Sequence, residues 1–486
     1  MKKRTTQFFL YQYRFIIGYI LLATIFFALL CIMPGIAPNG LSQGEMDSAV
    51  AASRLDLSFI SKGDIVNLPY LTLQKISLHF LGLSIFSIKL PSIIIGVLTG
   101  LFIILLLNRW FKNDVAIVGS ILTTLSTAFL FLAGNGTPII MYIFWLALIL
   151  WLGSKIVGND NVNPILVVSF FISIALSAYT PHLLYVAFAI AAAGLLHPHL
   201  RFALKQLQIW QLIICIAIFV LFISPLVAGC IVKTDNIQSL LSMQSLNFGD
   251  YINNIAQAFA PFFSFSMVYD SIYLAPLFGL ATVALVVIGI LASIGKMFTS
   301  RNTVVSLLVI YSIVIAGLNR DVAISVIIPL AVLSSAGIES IINKWYSLFP
   351  ENPYAHLFGI IPMVTIIFMI IASGLSHFIM GYHYAPRVTE NFNNDIALIS
   401  THIKTETPII FGADNNDNFD FYQLLEKYNG YQIRQEISDE FTEIATTSSE
   451  KPEQFKLKEI ITSPKSRNSD RLYIYSKITE EDKGDE

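Results

Sequence analysis

Long apolar runs recur along the first 380 residues of the chain. The longer runs have about 18–25 residues, which matches a hydrocarbon core of about 30 Å at a helical rise of about 1.5 Å per residue. Lipid offers backbone groups no hydrogen-bond partner, so such runs must be helical. The pattern predicts about eleven transmembrane helices, near residues 15–36, 84–107, 115–133, 138–155, 164–179, 182–197, 209–231, 272–294, 303–318, 322–342 and 357–379. The sequence therefore predicts an all-α polytopic membrane protein over residues 1–380.

The pattern changes after Met380. Residues 391–406 and 419–428 are predicted helices, and Gly430 is placed to end the second of them. Residues 408–411, 431–437, 457–462 and 471–478 have the character of strands. We expect a small α/β domain over residues 381–478, and a disordered charged tail over residues 479–486.

Charge is distributed unevenly between these two parts. Only 13% of the residues are charged, against about 25% in an ordinary soluble domain. Residues 1–379 hold 18 Lys and Arg against 12 Asp and Glu, whereas residues 380–486 hold 12 against 20. The acidic end argues against nucleic-acid binding, which requires a basic surface.

The basic residues also predict an orientation. With a cytoplasmic N-terminus, the inner segments hold 12 Lys and Arg and the much longer outer segments hold 6. Cytoplasmic loops normally carry this excess. We expect a multi-pass protein of the plasma membrane whose C-terminal domain is extracytoplasmic.

The two long outer loops, near residues 37–83 and 232–271, are partly apolar. Each contains an aromatic stretch punctuated by proline, LPYLTLQKISLHFLGL (68–83) in the first and AFAPFFSFSMVYDSIYLAPLFG (258–279) at the end of the second. Such stretches fit either helices lying along the membrane surface or segments packed on the helical bundle. Because loops on a rigid scaffold usually carry function, the working face is predicted to be the outer one.

Two carboxylates, Glu45 and Asp47, stand just outside the first predicted span in PGIAPNGLSQGEMDSAVAASRL (34–55). A carboxylate there can deprotonate an acceptor hydroxyl, and general-base catalysis contributes about 10²–10⁴ in rate. Ser42-x-x-Glu45 also has the spacing of a capping box, in which Glu45 only closes a helix terminus. Residues two apart on a helix diverge by about 200°, so the two acids are not expected to face one cavity. The spacing leaves both roles of Glu45 open.

This segment and the passages after it resemble the C-type glycosyltransferase superfamily, in its protein O-mannosyltransferase-like and aminoarabinose-transferase-like branch. Such proteins are multi-span enzymes that take a sugar from a polyprenyl-phosphate donor. The resemblance is carried by GEMDSAVAASRL (44–55), Gly63-Asp64, Leu68-Pro69, LGLSIFSIKLPSIIIGVLTG (81–100), AGNGTPIIMYIFWLALILWL (133–152) and NRDVAISVIIPLAVLSSAGIESI (319–341). It implies sugar transfer to a hydroxyl of a glycan, lipid or protein acceptor at the outer face of the membrane.

The resemblance also implies roles for single residues. The family has an acid pair after its first helix; Glu45 matches the second acid, Gly44 replaces the first, and Asp47 follows three positions later. Glu45 is therefore the implied base, with Asp47 as a shifted alternative. Lys89 stands where an arginine is expected, which keeps the charge but loses the planar fork that grips phosphate.

The donor phosphate needs positive charge at the outer interface, because charge develops there as it leaves. Arg320, Lys89 and Arg54 are the predicted phosphate-binding residues, and Arg320 is preferred because an ionisable group so close to the hydrocarbon suggests function. The alternative is a snorkelling arginine paired with its neighbour. We expect an acid and Arg320 to meet across an outward-facing cleft. Asp64 and His182 are possible substrate-binding residues, with a turn residue and a helix-break histidine as the alternatives.

No cofactor is predicted, and because two lone carboxylates do not define a metal centre, the sequence leaves dependence on a divalent metal open. Two other functions remain open. A transporter or flippase of a lipid-linked substrate would need paired charges within the spans, which are scarce. A catalytically inactive membrane scaffold is suggested by the missing first acid.

Overall fold

The computed structural model describes most of the chain. The described residues are 13–32, 36–37, 39–56, 62–157, 163–196, 198, 201, 208–241, 247–263, 269–270, 273–274, 276–295, 299–350, 353–411, 418–435, 437, 441–447, 452, 454–462 and 471–478. The predicted tail over residues 479–486 lies outside them.

The described part of residues 13–384 is mainly helical, as the apolar pattern predicts. The helices are α1 (Arg14–Ile32), α2 (Gln43–Arg54), α3 (Leu68–Leu81), α4 (Ile85–Trp110), α5 (Asn113–Thr124), α6 (Thr127–Gly134), α7 (Ile140–Val157), α8 (Pro164–Ser177), α9 (Leu184–Leu196), α10 (Ile209–Val232), α11 (Asp235–Leu241), α12 (Phe248–Phe263), α13 (Leu280–Ile294), α14 (Ser300–Ala316), α15 (Ile327–Leu348) and α16 (Pro353–Tyr384). A 3₁₀ helix, Arg320–Val326, leads into α15, and a two-stranded hairpin, β1 (Tyr269–Asp270) and β2 (Tyr273–Leu274), follows α12.

Several of these helices can cross a membrane. Within the described ranges, five are long and apolar enough, or six if α5 and α6 form one bent span. Each of the eleven predicted spans overlaps a helix, but others, such as α8 and α13, are shorter than a full crossing. The chain is a multi-helix membrane protein, and the count of eleven crossings is not confirmed.

One predicted helix, near residues 115–133, is broken in the structure. α5 and α6 meet at an angle of 59°. The hydroxyl of Ser126 accepts a hydrogen bond from the backbone N–H of Phe129, which starts a new helix. Apolar composition continues through the break, so the pattern of hydrophobic residues does not reveal it.

The C-terminal part contains a five-stranded sheet with the strand order β4-β3-β5-β7-β6. Its elements are α17 (Pro386–Thr389), α18 (Asp395–His402), β3 (Ile409–Ile410), α19 (Phe419–Asn429), β4 (Ile433–Arg434), β5 (Glu443–Thr446), β6 (Phe455–Thr462) and β7 (Arg471–Lys477). β3 is parallel to β4 and β5, whereas β7 is antiparallel to β5 and β6. The predicted C-cap at Gly430 is present in the left-handed conformation. The short strand β5 was not predicted.

The C-terminal domain packs against α2 and α3, in the segment that follows α1. One apolar cluster contains Met46 and Ala49 of α2, Leu78 of α3 and Phe421 and Leu425 of α19, all buried. The segment that carries Glu45 therefore lies between the helical bundle and the C-terminal domain.

Candidate functional site

Glu45 lies in the first turn of α2, and its side chain is fully buried. Its Oε2 atom accepts hydrogen bonds from the backbone N–H of Ser42 at 2.8 Å and from the Ser42 hydroxyl at 3.2 Å. The Ser42-x-x-Glu45 spacing predicts this capping arrangement. Capping occupies only one of the two carboxylate oxygens.

The other oxygen, Oε1, faces α4 and the turn between α6 and α7. It accepts a hydrogen bond from the backbone N–H of Gly136 at 2.6 Å and lies 3.8 Å from the Nζ atom of Lys89, which is also fully buried. A Cβ atom at position 136 would lie 3.0 Å from the carbonyl oxygen of Ile88 and 3.2 Å from Oε1. Glycine therefore lets this backbone approach the carboxylate.

A shell of buried polar groups surrounds the pair. Gln74 of α3 donates to the carbonyl oxygens of Ile88 (3.3 Å) and Gly136 (3.2 Å), and accepts from the hydroxyl of Ser48 at 2.6 Å. These bonds join α2, α3, α4 and the turn before α7. The shell holds the backbone around Glu45 in one arrangement.

Tyr70, also on α3, completes this shell. Its hydroxyl lies 2.8 Å from the hydroxyl of Ser92. Burial raises the pKa of the Tyr70 phenol, the Ser92 hydrogen bond lowers it, and the negative charge of Glu45 raises it. Because the net shift is upward, Tyr70 stays neutral beside the carboxylate.

The Glu45 and Lys89 side chains, which can carry opposite charges, are both fully buried. Two buried charges are costly to desolvate, and a pair of this kind is maintained only when both members remain. Oε1 and Oε2 together accept three hydrogen bonds besides facing Lys89.

Asp47 points away from Glu45, consistent with their offset on the helix. Its exposed carboxylate accepts a hydrogen bond from the side chain of Gln43 at 3.0 Å, and Gln43 also donates to Asn418 of the C-terminal domain at 2.8 Å. Arg54 is exposed too and forms an ion pair of 2.5 Å with Asp420. Asp47 and Arg54 therefore line the surface between α2 and α19, away from the buried pair.

Among the described contacts, Arg320 bonds neither acid, and the expected cleft between Arg320 and an acid stays a prediction. Its guanidinium Nε and Nη2 atoms donate to the side-chain oxygen of Asn254 in α12, at 3.1 and 2.9 Å. Arg320 sits on the exposed start of a 3₁₀ helix, whereas Glu45 is enclosed and already faces a buried lysine. Among the described contacts, one predicted phosphate-binding residue lies beside a predicted base: Lys89, which faces Glu45.

Asp64 and His182 lie elsewhere in the structure. Asp64 is half-buried in a turn, next to Gly63, whose carbonyl oxygen accepts from Asn236 at 2.7 Å. His182 is fully buried, with a φ of 63°. Its backbone N–H donates to Leu240 at 2.8 Å, so His182 joins the turn before α9 to the end of α11. A substrate-binding role for either residue stays a prediction.

Sequence reasoning missed Gln74, Tyr70 and Gly136 as members of the site. Only Gly136 had a signal, because it lies in the passage AGNGTPIIMYIFWLALILWL that carries part of the family resemblance.

An open groove of about 520 Å³ runs along the end of α16, lined by Ser373, Ser376, His377 and Tyr384 among others, and it does not include the buried pair. In the described residues, no group of three or more His, Cys, Asp or Glu side chains could hold a metal ion.

Comparison with known proteins shows what part of the chain and its fold are similar to. Residues 69–228, which include Lys89 and Gly136 but not Glu45, match the family described as dolichyl-phosphate-mannose-protein mannosyltransferase. The structure is similar to ArnT from Cupriavidus metallidurans bound to undecaprenyl phosphate, with a TM-score of 0.51, 9% identity, and coverage of 95% of this chain and 98% of that one. The apo state of that protein gives a TM-score of 0.51 at 10% identity, with the same coverage.

The fold is that of the C-type glycosyltransferases. The resemblance to the protein O-mannosyltransferase-like and aminoarabinose-transferase-like branch is thereby confirmed. An oligosaccharyltransferase from Archaeoglobus fulgidus, tethered with an acceptor peptide, has a TM-score of 0.50 at 11% identity; the match covers 88% of this chain and 64% of that one. A search of curated protein sequences returned no match.

Proposed function

We propose that this C-type protein transfers a sugar from a polyprenyl phosphate to an acceptor hydroxyl at the outer face of the membrane. The observation that carries the proposal is the buried pair of Glu45 and Lys89, whose Oε1 and Nζ atoms lie 3.8 Å apart. Lys89 lies within residues 69–228, which match the family model, whereas Glu45 precedes that range, in the segment 44–55 that resembles the superfamily. The C. metallidurans protein of the same fold was solved with undecaprenyl phosphate, which supports a lipid-phosphate donor.

Lys89 is the proposed ligand of the donor phosphate. In the structure its ammonium group faces the Glu45 carboxylate. A phosphate that enters the site offers Lys89 a second anionic partner and draws it away from Glu45. The freed carboxylate then becomes available as a base, so donor binding and base activation are coupled through one lysine.

In the transfer step, Glu45 takes the proton of the acceptor hydroxyl. The acceptor oxygen forms a bond to the anomeric carbon of the sugar, and the bond from that carbon to the phosphate oxygen breaks. The electron pair leaves with the polyprenyl phosphate, and Lys89 stabilises the charge that develops there. Gly136 keeps the carboxylate in place through its backbone N–H.

The other predicted residues have supporting roles in this proposal. Asp47 is the alternative base, because it is exposed and carried by the same helix. Arg54 and Arg320 are exposed cations that attract the lipid phosphate towards the site. Asp64 and His182 are proposed to shape the substrate site through their turns, and the C-terminal domain to lie outside the plasma membrane.

The test is sugar transfer by the full-length protein in proteoliposomes, with a polyprenyl-phosphate sugar donor. Glu45→Gln should lower the turnover number about 10²–10⁴-fold, the usual contribution of a general base. Asp47→Asn makes the same chemical change at the alternative base: it should retain most activity if Glu45 is the base, and lose it instead of Glu45→Gln if Asp47 is. The mechanism is wrong if both single variants and the double variant transfer sugar at the wild-type rate.

A catalytically inactive scaffold is the second candidate, favoured by the complete burial and capping of Glu45. It predicts that the wild-type protein transfers no sugar from any polyprenyl-phosphate donor under conditions in which a C-type relative is active.

A further inference from the structure

The C-terminal domain contacts both chain segments that carry the buried pair. Glu45 is carried by α2, and Lys89 lies five residues after Ser84, which caps the start of α4. The C-terminal domain forms hydrogen bonds with one residue just before α2 and one just before α4. These residues are Leu41, next to Ser42, and Leu83, next to Ser84. These contacts bear on the geometry of the pair although the domain donates no group to it among the described contacts.

The contact at Leu83 is made by one side chain. Asn429 accepts a hydrogen bond from the backbone N–H of Leu83 at 2.7 Å and donates one to its carbonyl oxygen at 3.1 Å. Leu83 is 1% exposed, and its side chain belongs to the apolar cluster shared with α19. A single amide therefore satisfies both backbone groups of a buried residue between α3 and α4, where neither helix supplies partners.

The position of Asn429 is itself well defined. It is the last residue of α19, and Gly430 follows it with a φ of 77°. The helix packs on α2 through Phe421 and Leu425, and Lys427 donates to the carbonyl oxygen of Ser53 at 2.9 Å. The side-chain amide of Asn429 is thus held in a fixed position next to the start of α4.

The contact at Leu41 is a backbone bridge. Leu41 and Asn393 exchange two N–H···O bonds of 2.8 Å each. Asn393 in turn donates to the Asp395 carboxylate at 2.8 Å, and Tyr422 of α19 donates to the same carboxylate at 2.7 Å. Ser42, which caps with Glu45, follows this bridge directly.

We propose that the C-terminal domain sets the separation of Glu45 and Lys89, with Asn429 as its main positioning residue for sugar transfer. The expected effect on sugar transfer rests on the proposed function, whereas the expected effect on the position of α4 rests on the contacts alone. Loss of the Asn429 amide leaves two buried backbone groups of Leu83 unsatisfied, which loosens the first turn of α4. Lys89 then samples positions away from the donor phosphate, and a misplacement of about 1 Å can cost about 10²-fold in rate.

The experiment compares Asn429→Ala with Asn418→Ala in the full-length protein. Both remove an asparagine that bonds across the same interface, but Asn418 bonds the exposed Gln43 rather than a buried backbone. Asn429→Ala should lower kcat about 10-fold or more, with the KM for the acceptor changed less than about 2-fold. Asn418→Ala should leave both constants unchanged. Asn429→Asp keeps only the acceptor for the Leu83 N–H and should give an intermediate kcat. If the alanine variant does not fold, the kcat of Asn429→Asp tests the inference in its place.

Amide hydrogen exchange of residues 83–90 provides a readout that does not depend on activity. Exchange there should be about 10-fold faster in Asn429→Ala than in wild type or Asn418→Ala. Faster exchange in a protein whose wild type transfers no sugar would keep the structural inference and reject the proposed function. Unchanged exchange together with unchanged kcat in Asn429→Ala would overturn the inference, and so would equal losses of kcat in both alanine variants.

Discussion

Replacing Lys89 by methionine removes the positive charge beside Glu45 while keeping a side chain of similar length. At 3.8 Å, two unit charges attract each other by about 4 kcal/mol for an effective dielectric constant of about 20. Breaking a buried pair by removing one partner typically costs about 3–5 kcal/mol, because the other charge stays buried without compensation. Lys89→Met alone and Glu45→Gln alone should each destabilise the protein by an amount of this order.

The double variant Glu45→Gln/Lys89→Met should be more stable than either single variant, since no uncompensated charge remains. The assay is thermal melting of the full-length protein in detergent. Each single variant should melt at a lower temperature than wild type. The double variant should recover at least half of that loss. Single effects that simply add in the double variant would refute the existence of a coupled buried pair.

Three further changes test other contacts. Gly136→Ala brings a Cβ atom to 3.0 Å from the Ile88 carbonyl and should cost about 1–3 kcal/mol, measured as a lower melting temperature; an unchanged value would contradict the close approach. Gly289→Ala places a Cβ atom 1.9 Å from the carbonyl oxygen of Leu333, so α13 and α15 must separate and stability must fall. Gly295→Ala is the neutral control, because among the described residues no atom lies within 4 Å of its Cβ position. Asp420→Asn breaks the exposed pair with Arg54 and should change stability by less than about 1 kcal/mol, and a larger loss would show that this pair is not screened by solvent.

Local patterns predicted the helices and the capping role of Glu45 because those features depend on neighbours in the sequence. Apolar runs indicate helices wherever lipid or core surrounds them, and the capping box needs only residues 42 to 45. The break between α5 and α6 was missed because it depends on one serine hydroxyl within a continuous apolar run. The strand Glu443–Thr446 was missed because four residues carry too little alternation to identify.

The partners of Glu45 were beyond local patterns. Gly136 lies 91 residues away along the chain, and its N–H reaches Oε1 only after α2, α4 and the turn before α7 pack together. The sequence showed which charges lie near the predicted outer face but not which of them meet. Arg320 was preferred because it stands close to hydrocarbon, yet its hydrogen-bond partner is Asn254, whereas the buried Lys89 faces the acid.

The affinity for polyprenyl phosphate, measured on reconstituted wild type, Lys89→Met and Glu45→Gln, tests most directly whether phosphate and Glu45 compete for Lys89. The account predicts at least about 10-fold weaker binding in Lys89→Met, the factor that corresponds to about 1.4 kcal/mol, and tighter binding in Glu45→Gln, because the lysine no longer faces a carboxylate. Lys62→Met, which removes an exposed lysine paired with Asp56, should bind as wild type does. Unchanged affinity in Lys89→Met, or weaker binding in Glu45→Gln, would contradict the central claim.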